Sequence, residues 1–162
     1  MYETKRLRLR PMQDEDLAAL HRIFGDEETM QYYPAAFDAE KTGSWIEWNK
    51  KLYREHGLGL FAVEYNGTVI GDCGLVPQTV DGRDEIELGY HIRKTYWKQG
   101  FAREAASFWL NHAAENGVSR VISIIDPQNV PSRKTAAAAG MTLEKRSVVF
   151  GREKVIYSKC FT

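Results

Sequence analysis

A glycine-containing turn with basic neighbours stands directly before a helical segment in the stretch YWKQGFAREAA, residues 96 to 106. The first N–H groups of a helix have no partner inside it, and together with the helix dipole they attract an anion such as phosphate. Gly100 lets the backbone approach a ligand closely. Positive charge surrounds the turn at Arg93, Lys94, Lys98 and Arg103. These residues alone are consistent with a phosphate-binding turn and with a tight turn that has a solvated basic rim.

The turn matches neither of two common nucleotide-binding motifs. It lacks the Gly-Lys-Ser/Thr end of a Walker A loop, and it lacks the G-x-G-x-x-G pattern of dinucleotide enzymes. An NTPase or a dinucleotide-dependent enzyme is therefore disfavoured.

Polar side chains alternate along the strand-like segment EIELGYHI, residues 85 to 92, which leads into this turn. Because side chains on a strand alternate between its two faces, one face takes the polar set and the other takes the apolar set. The polar set is Glu85, Glu87, Gly89 and His91. Carboxylate and imidazole groups can accept a proton, so this face can line a reactive cleft. The same groups are also typical of salt bridges and structural hydrogen bonds, and both interpretations stay open.

Periodicity and turn chemistry predict the elements that position these residues, beginning with a strand over residues 5 to 11. Asp14 is placed to cap a first helix, and a second helix is expected from Asp38 to Gly57. Two antiparallel strands flank the hairpin signal Asn66-Gly67.

The second half of the chain is predicted to contain a parallel crossover and a final hairpin. A strand, a helix and a strand in succession form a βαβ unit whose two strands are parallel. The expected elements are a strand (85 to 92), a helix (Phe101 to Gly117), a strand (118 to 126), a short helix (Pro131 to Gly140) and a hairpin that turns near Gly151.

Composition and charge limit the classes of function. The 162 residues include 22 basic and 22 acidic side chains and are 43% hydrophobic, which predicts one globular domain over residues 1–162. A domain that binds a nucleic acid duplex normally carries a basic surplus, so no nucleic acid partner is expected. No apolar run approaches the roughly 20 residues that span a bilayer. The start, MYETKRLRLRP, also lacks the apolar core of a signal peptide, so a cytoplasmic protein without a membrane partner is expected.

The two cysteines are expected to be reduced thiols. They are too few for a disulfide framework, and neither has the spacing of a metal ligand, so no metal site is expected. Cys73 could serve as a nucleophile, but in VIGDCGLV it is better interpreted as a buried strand thiol that packs as a small apolar group.

The order of elements, the strand EIELGYHI, the turn YWKQGFAREAA and the later NVPSRKTAAAAGM together resemble the GNAT superfamily of N-acetyltransferases over essentially the whole chain. The resemblance is greatest to the ribosomal-protein N-terminal (RimJ/RimL-like) branch. It implies a single α/β (α+β) domain with a central, mixed, twisted sheet of about seven strands and helices on both faces. It also implies acetyl-CoA as co-substrate, an amine acceptor and no metal, and it leaves a homodimer open.

The resemblance assigns the cofactor site to the turn and its surroundings. The family pattern [Q/R]-x-x-G-x-[G/A], which wraps the pyrophosphate, corresponds to Trp97 through Ala102, and Trp97 stands where Gln or Arg is usual. Asn129 corresponds to the residue that bonds the pantetheine arm, and its alternative is a turn residue. The residues expected at acetyl-CoA are His91, Ile92, Arg93, Lys98, Gln99, Gly100, Phe101, Ala102, Arg103, Asn129 and Ser132. The parallel strands 85 to 92 and 118 to 126 are expected to splay apart to admit the pantetheine.

Catalytic roles also follow from the resemblance. Glu87 matches the family's carboxylate base, acting directly or through water, with Glu85 and His91 in reserve. Ser132 is expected to donate a hydrogen bond to the leaving sulfur, because Ala136 stands where many relatives carry a tyrosine acid. Helix capping is the alternative for Ser132, and a salt bridge is the alternative for Glu87. The oxyanion donor is expected to be a backbone N–H near Ile92.

The acceptor stays open among ribosomal protein N-termini, polyamines, aminoglycosides and amino-acid-like metabolites. The acidic stretches GDEET (25 to 29) and DGRDEIE (81 to 87) could line a cleft for cationic amines, and Trp45 and Trp48 could form a wall. A solvated face and a core stripe are the alternatives. The rival function is a non-catalytic acyl-CoA sensor or interaction domain on the same fold.

Overall fold

Three tight turns in left-handed backbone conformations join consecutive strands into hairpins. The computed structural model describes residues 1–161, and the φ angles are 49° and 78° at Asn66-Gly67, 52° and 73° at Asp81-Gly82, and 56° and 74° at Phe150-Gly151. Two successive positive φ angles are characteristic of the type I′ turn, whose twist matches that of the flanking strands. The hairpins expected at Asn66-Gly67 and near Gly151 are confirmed.

The described residues form four α-helices and eight strands. The helices are α1 (Leu17–Phe24), α2 (Ala39–His56), α3 (Phe101–Glu115) and α4 (Val130–Ala138). The strands are β1 (Tyr2–Glu3), β2 (Leu7–Pro11), β3 (Gly59–Tyr65), β4 (Thr68–Val80), β5 (Arg83–Ile92), β6 (Arg120–Ile125), β7 (Thr142–Val149) and β8 (Arg152–Cys160).

All eight strands belong to one mixed sheet in the order β1-β2-β3-β4-β5-β6-β8-β7. The pair β5 and β6 is parallel, and the other neighbours are antiparallel. The α/β class with a mixed sheet is therefore confirmed. The strand beyond the expected seven is the two-residue β1 at the sheet edge.

Helices cover both faces of the sheet, as expected. On one face α3 packs against β4 and β5, and α4 packs against β6 and β7, through a core that includes Leu88, Ile92, Phe101, Ala105, Leu110 and Ala136. On the opposite face α1 and α2 pack against β3 and β4 through a core that includes Leu20, Phe24, Ile46, Leu52, Leu60 and Val76. The two faces of the sheet therefore meet two separate helical layers.

The helix boundaries show which local sequence signals were sufficient to predict where a helix begins or ends. The Asp38 carboxylate accepts the Lys41 N–H at 2.7 Å and caps α2, which ends at Gly57 with φ 63°. The cap expected from Asp14 is wrong, because Asp14 lies in a turn of 3₁₀ helix before α1 and binds Lys50 at 2.5 Å instead. Whether a carboxylate near a turn caps a helix or binds a cation depends on which groups the tertiary structure brings to it.

The structure also gives findings on membrane-spanning helices, on metal-binding groups and on the environment of Cys73. Within residues 1–161 every helix is too short or too polar to cross a membrane. Over the same range no group of three or more His, Cys, Asp or Glu side chains is arranged to hold a metal ion. Cys73 is fully buried, and burial raises the pKa of its thiol well above the usual range, which confirms its interpretation as a packing residue.

Candidate active site

The parallel strands β5 and β6 pair at one position only and then separate. Glu87 lies opposite Ile122, and no further pair follows among the described residues. Arg93 N–H donates to Ile70 O of the β4 edge at 2.7 Å. Because backbone groups of an antiparallel pair alternate in direction, the N–H of Ile92 points away from β4 and toward the split. The expected splay of these two strands is confirmed.

A groove of about 430 Å³ runs from this split to the N-terminus of α3. Nine residues expected at acetyl-CoA line it: His91, Ile92, Lys98, Gly100, Phe101, Ala102, Arg103, Asn129 and Ser132. Glu87, Arg93 and Gln99 are not among the lining residues. The groove is further lined by residues that the sequence did not single out, which include Tyr33, Tyr90, Tyr96 and Lys134.

The turn before α3 is held in place by contacts from distant parts of the chain. Gly100 has φ 81° and Lys98 has φ 63°, so the backbone reverses sharply, and the first residues of α3, whose N–H groups have no partner inside the helix, line the groove. Arg6 donates to Gln99 O at 2.9 Å, and its guanidinium lies 4.3 Å above the Phe101 ring. The Gln99 carbonyl is therefore occupied by a structural contact.

Trp97 fastens the other side of the turn to the end of β5. Its indole Nε1 donates to Ile92 O at 2.6 Å. This contact shows what Trp97 does where the family pattern has Gln or Arg: its indole joins the turn to the strand.

The positive charge of the groove differs from the sequence expectation. Lys94 binds Glu28 at 2.8 Å, which removes it from the turn and also neutralises part of the acidic stretch 25 to 29. Lys98 and Arg103 line the groove as expected, and Lys134 of α4 lies across from them. Two cations at the turn and one on the facing helix are suited to a polyanionic ligand.

Ser132 and Tyr90 form a hydroxyl pair where the split meets α4. Ser132 Oγ donates to the Tyr90 hydroxyl at 3.1 Å, and that hydroxyl donates to Ser132 O at 2.8 Å. Asn129 Oδ1 accepts the Ser132 N–H at 3.2 Å and so caps α4. Burial raises the pKa of the Tyr90 phenol above its usual range, so the pair is neutral. Asn129 therefore caps α4, and the Ser132 hydroxyl does not cap the helix but donates to Tyr90.

Glu87 lies on the opposite face of β5 and is half-buried. Burial raises the pKa of its carboxyl to about 7, while a hydrogen bond with Gln78 and the proximity of His91 and Lys154 act to lower it. A carboxyl with a pKa near neutrality exchanges protons readily at physiological pH.

Two other expected acidic groups are held in ion pairs. Glu85, the reserve base, binds Arg120 at 2.9 Å, and Arg120 also binds Glu144 at 2.6 Å. Asp81 binds Lys145 at 2.8 Å. Of the acidic groups in residues 81 to 87, Glu87 and the exposed Asp84 stay outside these ion pairs, and neither of them lines the groove.

His91 is held between a buried carboxylate and a tyrosine. Its Nδ1 lies 2.7 Å from Asp72 Oδ1, and its Nε2 lies 2.6 Å from the Tyr33 hydroxyl. The second Asp72 oxygen accepts the Trp45 indole N–H at 3.0 Å, and Asp72 is fully buried. The Trp45 ring lies 6.2 Å from the imidazole with Trp48 packed against it, but neither indole is among the groove-lining residues and both pack on the core, so the wall expected from them stays a prediction.

Asp72 was missed, although a local signal could have found it. The turn at Asp81-Gly82 places β4 and β5 in a register that sets Asp72 directly opposite His91. Counting outward from this Asp-Gly turn would have predicted the pair. Tyr33 could not have been found in this way, because it lies in the loop between α1 and α2 and reaches His91 only through the tertiary fold.

The chain matches known proteins over most of its length. A family model described as "Acetyltransferase (GNAT) domain" matches residues 6–142. The uncharacterized protein YkkB of Bacillus subtilis (strain 168) is 32% identical over 160 residues, which make up 96% of this chain and 93% of that protein.

Two solved structures are similar in fold. An acetyltransferase from Agrobacterium tumefaciens strain C58 has a TM-score of 0.86 at 23% identity, covering 98% of this chain and 92% of that one. RimL, a ribosomal L7/L12 alpha-N-protein acetyltransferase in complex with coenzyme A, has a TM-score of 0.81 at 16% identity, covering 98% and 96%. At sequence identities of 23% and 16%, the structural similarity shows that the fold is shared.

Proposed function

The chain belongs to the GNAT acetyltransferase family, and we propose that it moves the acetyl group of acetyl-CoA directly to a primary amine in a ternary complex. The observation that carries the proposal is the split between β5 and β6, which opens into a groove ending at the N-terminus of α3. We take the N-acetyltransferase domain to span residues 1–162.

Acetyl-CoA is the co-substrate whose shape and charge suit this groove. The pyrophosphate would bind the free N–H groups at the start of α3, with Lys98, Arg103 and Lys134 around it. The pantetheine would lie in the split in place of a neighbouring strand. The coenzyme A complex of RimL, a protein of the same fold, supports this placement.

The proposed transfer needs a neutral amine and a stabilised oxyanion. Glu87, with a pKa of about 7, takes the first proton from the incoming ammonium. Since Glu87 does not line the groove, the proton passes through water. The neutral nitrogen then attacks the thioester carbonyl, and the Ile92 N–H faces the oxygen that becomes negative.

We assign the hydrogen bond and the proton that the leaving thiolate needs to the hydroxyl pair of Ser132 and Tyr90. Ser132 lines the groove and donates to Tyr90 in the free protein, so it can turn its hydrogen bond to the sulfur while Tyr90 supplies or relays a proton. Ala136 is fully buried in the core against α3, so the pair on β5 and α4 takes the place of the tyrosine usual in relatives.

The finer features of the proposal concern acceptor, compartment and assembly. The fold likeness to RimL supports a protein N-terminus as one acceptor class, and small-molecule amines are the other. The cytoplasm is the compartment in which the free thiols of Cys73 and Cys160 stay reduced. The proposal includes no nucleic acid or membrane partner, and light scattering would distinguish a monomer from a homodimer.

The experiment that tests the function is binding followed by turnover. Thermal unfolding with acetyl-CoA and with coenzyme A tests the groove, and thiol release over a panel of N-terminal peptides, polyamines, aminoglycosides and amino-acid-like amines tests the transfer. Turnover of any amine class supports the enzyme. Binding without turnover on the whole panel would favour the acyl-CoA sensor, a function that the proton-accepting groups at the split do not favour.

A further inference from the structure

The buried carboxylate of Asp72 fixes the orientation of the His91 ring. Both Asp72 oxygens are occupied, one by His91 Nδ1 at 2.7 Å and the other by the Trp45 indole at 3.0 Å. An ionised carboxylate only accepts hydrogen bonds, so a neutral ring in this position carries its proton on Nδ1 and its lone pair on Nε2. The aspartate therefore directs the basic nitrogen of the imidazole into the groove, which His91 lines.

The Tyr33 hydroxyl marks the place that a nucleophile would take. It lies 2.6 Å from His91 Nε2, although 40% of Tyr33 is exposed to solvent. Its pKa is raised by burial of the hydroxyl and by the nearby Glu87, Asp72 and Tyr90. The hydroxyl thus lies among the carboxyl, imidazole and phenol groups that the proposed transfer requires, and it is carried by a loop between α1 and α2.

We propose that His91 Nε2 is the catalytic group that takes the proton released when the acceptor amine attacks, and that Asp72 is its positioning residue. In the free protein the Tyr33 hydroxyl occupies the position of the acceptor nitrogen and leaves it when the amine binds. This inference rests on the proposed function and adds a second proton acceptor to it.

The proton balance shows why two acceptors are useful. The ammonium first loses one proton to Glu87 through water. The N–C bond then forms while the thioester carbonyl becomes an oxyanion, and the nitrogen loses a second proton to His91 Nε2. The C–S bond breaks, and the thiolate takes a proton through Ser132 and Tyr90. The products are an amide and the free thiol, with one net proton released to solvent.

The surroundings of His91 contain few other groups that titrate. Asp72 contributes from β4, Glu87 from the same face of β5, and Tyr33 from the loop. The helices α1 and α2 contribute Phe24 and Trp45, whose rings lie 5.2 and 6.2 Å from the imidazole and carry no charge. A change in the pH profile of a His91 or Asp72 variant therefore reports on this group of four side chains.

Steady-state kinetics on the amine that turns over fastest tests the assignment. His91→Gln is expected to lower kcat about 100-fold or more, within the range for general bases, with acetyl-CoA KM changed less than about threefold. Asp72→Asn should lower kcat by a similar factor, because an amide can hold the ring in the wrong tautomer, and should alter the acid limb of the pH profile. The exposed His56→Gln is the matched control.

Nitrogen NMR of the ¹⁵N-histidine-labelled free protein gives a second test that needs no turnover. The signal that His91→Gln removes should show a protonated Nδ1 and an unprotonated Nε2, and Asp72→Asn should change that tautomer. Parent rates for His91→Gln, or a His91 protonated at Nε2, would overturn this inference and leave acetyl transfer intact. Failure of the parent protein to turn over any amine would instead overturn the proposed function.

Discussion

Ser132 and Glu87 act at different stages of the proposed transfer, because they lie on opposite sides of β5. Ser132 contacts Tyr90 on the side of α3 and α4, where the thioester sulfur would lie. Glu87 lies on the side of α1 and α2, where the amine would arrive, and burial there raises its pKa to about 7. Removing each group should therefore give a different kinetic result.

Ser132→Ala should lower kcat by roughly 10- to 1,000-fold with little change in acetyl-CoA KM, because a donor to a developing charge acts mainly in the transition state. Tyr90→Phe should give a defect of similar size, and the double variant should be little worse than either single one, because the two hydroxyls act as a unit. Thiol release under saturating acetyl-CoA measures all three. Near-parent rates for Ser132→Ala would remove the pair from the mechanism.

Glu87→Gln should change how the rate depends on pH. The carboxyl loses its own proton as pH rises through about 7 and can then act as a base, so the parent rate should rise across that range, and the variant should lack this limb. We expect a defect of about 100-fold at pH 7 that shrinks at higher pH, where more of the amine is already neutral. Rates measured from pH 6 to 9.5 check this, and a defect that stays constant would contradict it.

Thermal unfolding of Glu87→Gln provides an independent check of that pKa. Because the folded-state pKa is raised above the unfolded value, ionisation of Glu87 costs stability as pH rises through about 7. The variant should therefore unfold at a higher temperature than the parent at pH 8, with a smaller difference at pH 5. An equal difference at both pH values would contradict the raised pKa.

The turn before α3 is rigid because distant elements hold it on both sides. Arg6, next to β2, binds the Gln99 carbonyl and also forms an ion pair with Glu104 of α3 at 2.7 Å. Trp97 binds the last carbonyl of β5. A turn whose N–H groups are directed before the ligand arrives loses little conformational entropy on binding.

Gly100→Asp should abolish detectable acetyl-CoA binding, because it places a side chain and a negative charge at the phosphate site. Isothermal calorimetry measures the loss. Gly117→Asp is the matched control: Gly117 has φ 80°, nearly the 81° of Gly100, and lies at the other end of α3 with open space around it. If both variants fold and Gly100→Asp binds as tightly as the parent, the pyrophosphate binds elsewhere.

The sheet as a whole has two parts that meet at the split. The first part, β1 to β5, and the second part, β6 to β8, share one strand pair at Glu87 and Ile122. The helices α3 and α4 also connect them, since α3 packs on β4 and β5 while α4 packs on β6 and β7. A ligand that fills the split would join the two parts along its length.

Acetyl-CoA should therefore stabilise the folded protein and protect both sides of the split. At about 100 times its Kd a ligand adds about 2.7 kcal/mol to the free energy of unfolding. Hydrogen exchange should slow at Tyr90, Ile92 and β6 with acetyl-CoA, but not with ADP, which carries the pyrophosphate without the pantetheine. Equal protection by both ligands would show that the pantetheine does not occupy the split.

Much of the fold follows from local sequence, because its causes are local. The Asn66-Gly67 turn produces its hairpin through two residues that accept positive φ, and Asp38 and Gly57 delimit α2 through contacts within one helical turn. The βαβ order over residues 85 to 126 requires parallel strands whatever else surrounds them. The position of the turn before α3 was predictable for the same reason.

Only the tertiary structure decided which of the polar groups are free to act. Lys94 and Glu85 looked available in the sequence, but Glu28 and Arg120 bind them from other elements. Conversely, Tyr33 gained a place beside His91 because packing of α1 and α2 carries their loop over the end of β5. Charge and hydrogen-bonding capacity are properties of a side chain, whereas burial and partners depend on segments far apart in the chain, and these set its pKa and its role.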